Sequence, residues 1–581
     1  MSIDIETYRL KAQEAIEYVF VKEYHNSLGI PMPIVKMLLP DDANYSTGQY
    51  YITIDKTWQI HLNFGKLPIS YHEFQNEVKV LTRHEIEHYM CCPFDVITHF
   101  RMLKRIRDVY YKHFSHLGIN IKYACGAISN QAADIIVDTK NYYRHSKETL
   151  KSEIDWIKIG ANISACPRHC KLMFLTKEAI WKEDLGINET DPEFLKIVHQ
   201  LADSFTKNGI EDKSSFLDKV EEYAEIFFKL YVEDQKNPQQ SSQQGSQQQS
   251  GQQGSQQQSG QQGSQQQSGQ QGSQQQSGQW GVGRPKDGDE HGNAFVFADP
   301  DKVKEAIEVL AEETSVEEFI DLLAIAGIIG MSDKQKGVLW FNVQSANIIP
   351  IVEFSNTGNK SSYTYPSVWR IGDPIEELDL MLTYMTSPRL IPGMTTKKWE
   401  YVSNDDNGTE SKQMDLLLVV DTSGSMGSAM KESANMHQAV LASYGILSYF
   451  ESTKSKVAFI GFSDKIDAYV DWSDKYDDVR ERLLTNGHGG TKFPISRIKS
   501  TLDVRSRDLV TVLITDGDLG NINESVSYFR DYLNDDNKLY IFLLGGSKSL
   551  HSYEPLKNIG AKIYNANNAN EFCDMVLTDM E

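Results

Sequence analysis

Met414–Met426 reads MDLLLVVDTSGSM, a continuous apolar run that ends on an aspartate and a turn of small hydroxyl residues. A strand buried on both faces reads as such a run, without the alternation of a half-exposed strand. The pattern recurs in SKVAFIGF (Ser455–Phe462), DLVTVLIT (Asp508–Thr515) and KLYIFLLG (Lys538–Gly545), with amphipathic segments between. Short buried strands alternating with amphipathic helices specify a doubly wound α/β domain over residues 411–581, built on a parallel sheet covered on both faces. Open sheets of this kind hold ligands outside the carboxyl ends of their strands. Asp421, Ser423 and Ser425 fall there, Thr491 lies in the loop HGGTKF, and Asp516 ends the strand LVTVLITD, with Asp518 just beyond it. Hard oxygen donors in D-x-S-x-S spacing suit Mg²⁺, Mn²⁺ or Ca²⁺.

In order, spacing and strand context, Asp421, Ser423, Ser425, Thr491 and Asp516 resemble the metal-ion-dependent adhesion site (MIDAS) of the von Willebrand factor A (vWA) domain, a Rossmann-like fold. The resemblance implies that the serines and the threonine bind Mg²⁺ or another divalent ion directly or through water. The acids complete the shell, and one position is left for a carboxylate from a protein partner. Ser387–Tyr401, SPRLIPGMTTKKWEY, resembles the lead-in of vWA proteins that work with MoxR-type AAA+ ATPases, although a turn at Pro392 and Gly393 entering a strand fits it equally well. The sequence has no G-x-x-x-x-G-K-[ST] stretch, so nucleotide-driven work is expected from a separate chain.

Upstream the composition breaks sharply. Between Gln239 and Gln279 the nonapeptide GSQQQSGQQ starts at Gly245, Gly254 and Gly263 and recurs, shortened, from Gly272. With no apolar side chain to bury, the tract reads as a disordered tether with an r.m.s. span of roughly 35 Å. It divides the 581 residues into a mainly α (α+β) domain at 1–235, a linker at 236–290, a connecting region at 291–410 expected to pack on the vWA domain, and the vWA domain at 411–581. In the first domain, Tyr50–Phe64 alternates like a strand, and helices are predicted over 71–91, 96–114, 129–144 and 214–235.

His84–His88 spells HEIEH on the first of those helices. Histidines four apart project from one face and reach one zinc ion, while Glu85 is placed to take a proton from a water the metal activates. A third ligand is sought in GAISNQAADIIVD, where Asn130, Asp134 and Asp138 share one helical face. This segment resembles the third-ligand helix of the glutamate-zincins and, more closely, that of metallopeptidase-like domains joined to vWA domains in prokaryotes, and the resemblance implies Asp134 as ligand, with Asn130 and Asp138 as supporting or substitute ligands. The region resembles the zincin metallopeptidases, whose edge strand precedes the zinc helix, and more closely the metallopeptidase-like domains joined to vWA domains in prokaryotes. Arg83 and Glu87 depart from the zincin pattern, which is usually uncharged at those positions, and Asn130 stands where glutamate-zincins carry a glutamate. The resemblance implies a zinc-dependent metallopeptidase, a hydrolase acting on a peptide or protein substrate.

Fifty-eight Lys plus Arg against 80 Asp plus Glu give a net charge of -22, which argues against broad adhesion to nucleic acid or an anionic membrane. The amino terminus lacks a secretory pattern, and the longest apolar run, 322–331, is about half of what a membrane helix needs. A soluble cytoplasmic protein is expected. Six cysteines are too few for a disulfide framework. Cys91, Cys92, Cys166 and Cys170 read as buried thiols, with a structural zinc site as the alternative. Two function classes compete: a peptidase whose vWA domain recruits a target or an ATPase, and a non-catalytic adaptor or remodelling factor whose HEIEH site is structural or inactive.

Overall fold

The structure is a computed structural model that describes residues 5–39, 50–54, 59–64, 70–159, 163–236, 300–328, 331–346, 363–369, 397–402, 414–505, 508–517, 519–535, 537–544 and 551–566. These form two compact units, one of 1–314 with 318–330 and one of 315–317 with 331–581. The Gln-rich tract and most of Ser387–Tyr401 lie outside the described residues.

In the first unit α1 (Ile5–Glu17) leads to a three-stranded sheet, β1 (Ile34–Met37), β2 (Tyr50–Ile54) and β3 (Gln59–Phe64). The order is β1-β3-β2, with β3 parallel to β1 and antiparallel to β2. The 50–64 segment is thus two strands. Ile60 and Leu62 alternate inward from β3 onto Ile16, Phe20, Phe74 and Val78. That core carries α2 (Tyr71–Met90), which opens on a Ser70 cap whose hydroxyl accepts from the Glu73 backbone N–H and closes at Cys91, two residues before Pro93. Then come α3 (Val96–Val109), α4 (Ile121–Ile159), α5 (Arg168–Trp181), α6 (Pro192–Thr206) and α7 (Phe216–Lys236). The predicted 129–144 helix is the middle of α4, which kinks at His145, where φ is -135° and ψ 47°.

Of the connecting region expected at 291–410, the described residues 300–314 and 318–328 fall with the first unit, and 331–346, 363–369 and 397–402 with the second. α8 (Pro300–Glu312) and α9 (Val316–Ile325) belong almost entirely to the first unit, and α8 packs on α3. Leu310, Ala311, Phe319, Leu322 and Leu323 are buried, and Arg107 pairs with Glu318 at 3.2 Å and Asp321 at 3.0 Å. The described residues on either side of the tract, up to Lys236 and from Pro300, thus fall in the same unit.

The second unit contains α10 (Asp333–Ala346), an antiparallel pair β4 (Tyr363–Val368) and β5 (Lys397–Val402), and a six-stranded sheet. The sheet comprises β6 (Asp415–Asp421), β7 (Val457–Phe462), β8 (Ile466–Ser473), β9 (Leu509–Thr515), β10 (Lys538–Leu544) and β11 (Lys562–Ala566), in the order β11-β10-β9-β6-β7-β8. All neighbours are parallel except the β7–β8 edge pair, so the sheet is mixed rather than wholly parallel. Leu417, Val419, Ile460, Leu513 and Ile541 face a core that includes Ile498 and Phe529, from α12 (Ile495–Leu502) and α13 (Val526–Asn534). On β6 the intervening Leu416, Leu418 and Val420 are buried as well, and α11 (Asn435–Ser452) packs on this strand. The chain adds strands to one side of β6, then returns to build on the other. The switch point falls between β6 and β9, at Asp421 and Asp516.

Cutting the chain within 239–279 should leave the two fragments associated, because α8 and α9 stay docked on α3. Co-elution of the nicked fragments in native size exclusion is expected, and their separation would show that the 300–328 helices are not part of the first unit.

Candidate metal centres

Helices α2 and α4 build the first centre. His84 Nε2 lies 3.0 Å from His88 Nε2 and 3.5 Å from Asp134 Oδ1, and His88 Nε2 lies 3.2 Å from the same oxygen. All three residues are buried. The tautomers follow from what the other ring nitrogens meet. His84 Nδ1 is 2.6 Å from Asp138 Oδ1, and His88 Nδ1 is 2.9 Å from the Cys92 carbonyl, both of which are acceptors. Each Nδ1 is therefore the donor, and each Nε2 turns a lone pair toward the Asp134 oxygen. Three electron-pair donors facing one another need a proton or a metal ion among them.

The spacing fits a metal. A tetrahedral zinc with bonds of about 2.0–2.1 Å sets its ligands about 3.3 Å apart, which matches the observed 3.0, 3.2 and 3.5 Å. His84, His88 and Asp134 are also the cluster of three potential metal ligands found among the described His, Cys, Asp and Glu. Asn130 is not in the cluster; its side-chain amide donates to Asp134 Oδ2 at 3.0 Å. Asp138 is outside the cluster too, with Oδ1 2.6 Å from His84 Nδ1. Glu85 is buried beside His84 and its charge acts on that imidazole. The cysteines do not join in: the five described are free thiols, and none belongs to a ligand cluster among the described residues.

The buried carboxylates favour positive charge at His84. Burial alone would keep His84 neutral, but Asp138 and Asp134 outweigh it and raise the His84 pKa from 6.5 to about 9. His99 on α3 goes the other way: burial and the neighbouring His88 lower it to about 4. Behind Asp138 sits Lys177 of α5, 2.5 Å from Oδ2 and 2.9 Å from Glu153 Oε1. Sequence reasoning missed His99, Lys177 and Glu153. Nothing in CKLMFLTKEAIW distinguishes a buried lysine from a solvated one.

The second centre lies at the switch point. Asp421 is held at both oxygens, accepting from the Ser423 backbone N–H at 2.9 Å and from the Thr515 hydroxyl at 2.6 Å. Ser423 Oγ and Ser425 Oγ are 3.1 Å apart, and Ser425 donates to Asp516 Oδ1 at 3.0 Å. Asn435, at the start of α11, donates to the other Asp516 oxygen at 3.1 Å. Asp421, Ser423, Ser425 and Asp516 are thus linked in one run of oxygen-bearing side chains, the chemistry that hard divalent ions favour. Thr491 rides on a loop pinned beside it, with Gly489 carbonyl accepting from Gly424 N–H at 3.3 Å and Lys492 N–H donating to Ser463 carbonyl at 2.8 Å. Gly489 has φ +115°, and a Cβ there would come within 3.0 Å of the Asp464 carboxylate, so the loop's close approach requires glycine. Burial raises the Asp421 pKa against the pull of its Thr515 and Ser423 hydrogen bonds, a cost that a bound cation would remove. Asp518 lies outside the described residues.

No described helix is long and apolar enough to cross a membrane. No family model matches the chain, and no curated protein sequence does. Among solved structures the chain is similar to a von Willebrand factor type A protein from Catenulispora acidiphila, with 10% sequence identity, 31% of this chain covered and a TM-score of 0.23. The matched region spans 43% of that protein.

In metal-free protein His84 is expected to hold a proton where the cation would sit. Its folded pKa of about 9 exceeds the unfolded 6.5, so this stabilisation is complete below pH 6.5 and lost as pH rises through about 9. Urea unfolding of the EDTA-treated chain should show the first unit weakening between about pH 6 and pH 9.5, and His84→Gln should remove that particular loss. A wild-type profile identical to that of His84→Gln would contradict the assignment.

Proposed function

We propose that the chain is a zinc-dependent peptidase coupled to a vWA-type domain that holds a protein partner through a divalent ion. The observation that supports this most is the convergence of His84 Nε2, His88 Nε2 and Asp134 Oδ1, with both Nδ1 atoms already committed as donors. Bound zinc supplies Lewis-acid polarisation of water and of a carbonyl oxygen. The residues supply the rest. Asp138 and the Cys92 carbonyl aim the imidazoles, Asn130 steadies Asp134, and Glu85 is the base that holds and passes on a proton.

At the second centre Asp421, Ser423, Ser425 and Asp516, with Thr491 on the adjacent loop, would hold Mg²⁺ or a similar ion. A partner carboxylate would complete its shell. The resemblance of Ser387–Tyr401 makes a MoxR-type AAA+ ATPase the proposed partner, with a peptide or protein as substrate.

A second reading rests on burial. Glu85 is 2% exposed and the three ligands are nearly as enclosed, the environment of a metal that holds helices together rather than one that meets substrate. In that reading the first unit is a zinc-stabilised scaffold, and the chain is an adaptor for an ATPase complex.

The purified chain should carry about one zinc in the first unit, and His84→Ala or His88→Ala should strip it. Glu85→Gln should retain zinc and lower peptide hydrolysis by about 10²- to 10⁴-fold. Zinc uptake without hydrolysis by the wild type selects the adaptor reading, and no uptake rejects both. For the second centre, Asp421→Ala should remain folded yet lose divalent-dependent partner capture. Equal recovery of partner from wild type and Asp421→Ala, with and without EDTA, would make that site incidental.

A further inference from the structure

We propose that Lys177 is a positioning residue of the first metal centre, acting through Asp138 to hold His84 in the orientation that ligates. This rests on the metal-binding reading above and extends it by one residue that touches neither metal nor substrate.

Lysine is among the side chains least often buried, and burying one costs several kcal/mol unless it is paired. Lys177 is nevertheless 2% exposed on an otherwise largely buried face of α5. Its ammonium contacts two carboxylates of α4, Asp138 Oδ2 at 2.5 Å and Glu153 Oε1 at 2.9 Å. Those acids stand on opposite sides of the His145 kink, so Lys177 stitches the two segments of the helix together. Asp138 consequently has one oxygen on Lys177 and the other on His84 Nδ1, at 2.6 Å.

This division fixes Asp138. An aspartate χ2 torsion is broad and roughly two-fold, so a carboxylate tied at one oxygen only is poorly oriented. With Oδ2 anchored by an ammonium, Oδ1 faces Nδ1, and the imidazole plane follows. The chain Glu153, Lys177, Asp138, His84 thus runs from the kink of α4 to the ligating nitrogen. A lysine that merely braced the kink would need only Glu153 and some other acid of α4. The acid it uses is the one that orients a ligand.

The test measures Zn²⁺ affinity of the full-length chain by chelator competition, with circular dichroism as the check on folding. Lys177→Met should weaken zinc binding by about 10- to 100-fold, the range for loss of an outer-shell partner, and Asp138→Asn should do likewise. The double variant should bind no worse than Asp138→Asn alone, because one path carries both effects. Should Lys177→Met fail to fold, Lys177→Met with Glu153→Gln removes both members of the outer pair and takes its place in the cycle. Wild-type affinity in a folded Lys177 variant, or losses that add fully in the double variant, would overturn the proposal and leave the metal site standing. A wild-type chain that takes up no zinc would overturn the metal reading itself, and this inference with it.

Discussion

The geometry of the first unit depends on the buried clamp between α2 and α4. On α2, Arg83 and Glu87 form one stripe, with His84 and His88 beside it. Arg83 pairs with Glu23 at 2.6 Å and with Glu148 of α4. Glu87, fully buried, forms an ion pair with Lys140 at 2.8 Å and accepts from Arg144 at 3.0 Å and the Tyr24 hydroxyl at 3.0 Å. Removing one member of such a network leaves an uncompensated buried charge, worth about 3–5 kcal/mol. The clamp sets the rotation of α2, and that rotation brings both imidazoles onto Asp134. The two positions at which HEIEH and its flank depart from the zincin pattern are thus the ones that lock the helix in place.

The second unit reaches its site by topology rather than by ion pairs. Neighbouring strands grown to opposite sides of β6 leave a crevice at the carboxyl ends of β6 and β9. Asp421 and Asp516 are the residues that end or follow these strands, so the polar groups meet without disturbing the apolar layers beneath. The glycines of the 487–490 loop then let Thr491's loop approach closely: a Cβ at Gly487 would lie 2.5 Å from the Thr422 carbonyl.

Much of this was legible in the sequence. Four continuous apolar runs announced the central strands, since full burial removes alternation. The edge strands β8 and β11 were missed because partial exposure dilutes their pattern; IDAYVDWS mixes apolar, acidic and hydroxyl residues. The pairing of His84 with His88 could be proposed from helical spacing, which dictates which side chains share a face, and Asp134 was expected from the resemblance of its helix. The return of α8 and α9 to α3 could not, because an amphipathic stripe says that a helix docks but not where. Lys177 was hidden for a related reason: its partners Asp138 and Glu153 belong to another helix and are fifteen positions apart there, joined across a kink that no residue in KNYYRHSKE announces.

The central claim is that two imidazoles and one carboxylate converge on a single zinc ion. X-ray absorption at the zinc edge of the full-length chain tests it most directly. The account predicts a nitrogen and oxygen shell at about 2.0–2.1 Å with outer-shell scattering from two imidazole rings, lost in His84→Ala and His88→Ala. Sulfur scattering at about 2.3 Å would contradict it, by placing the metal on a thiol, and no thiol belongs to the ligand cluster among the described residues.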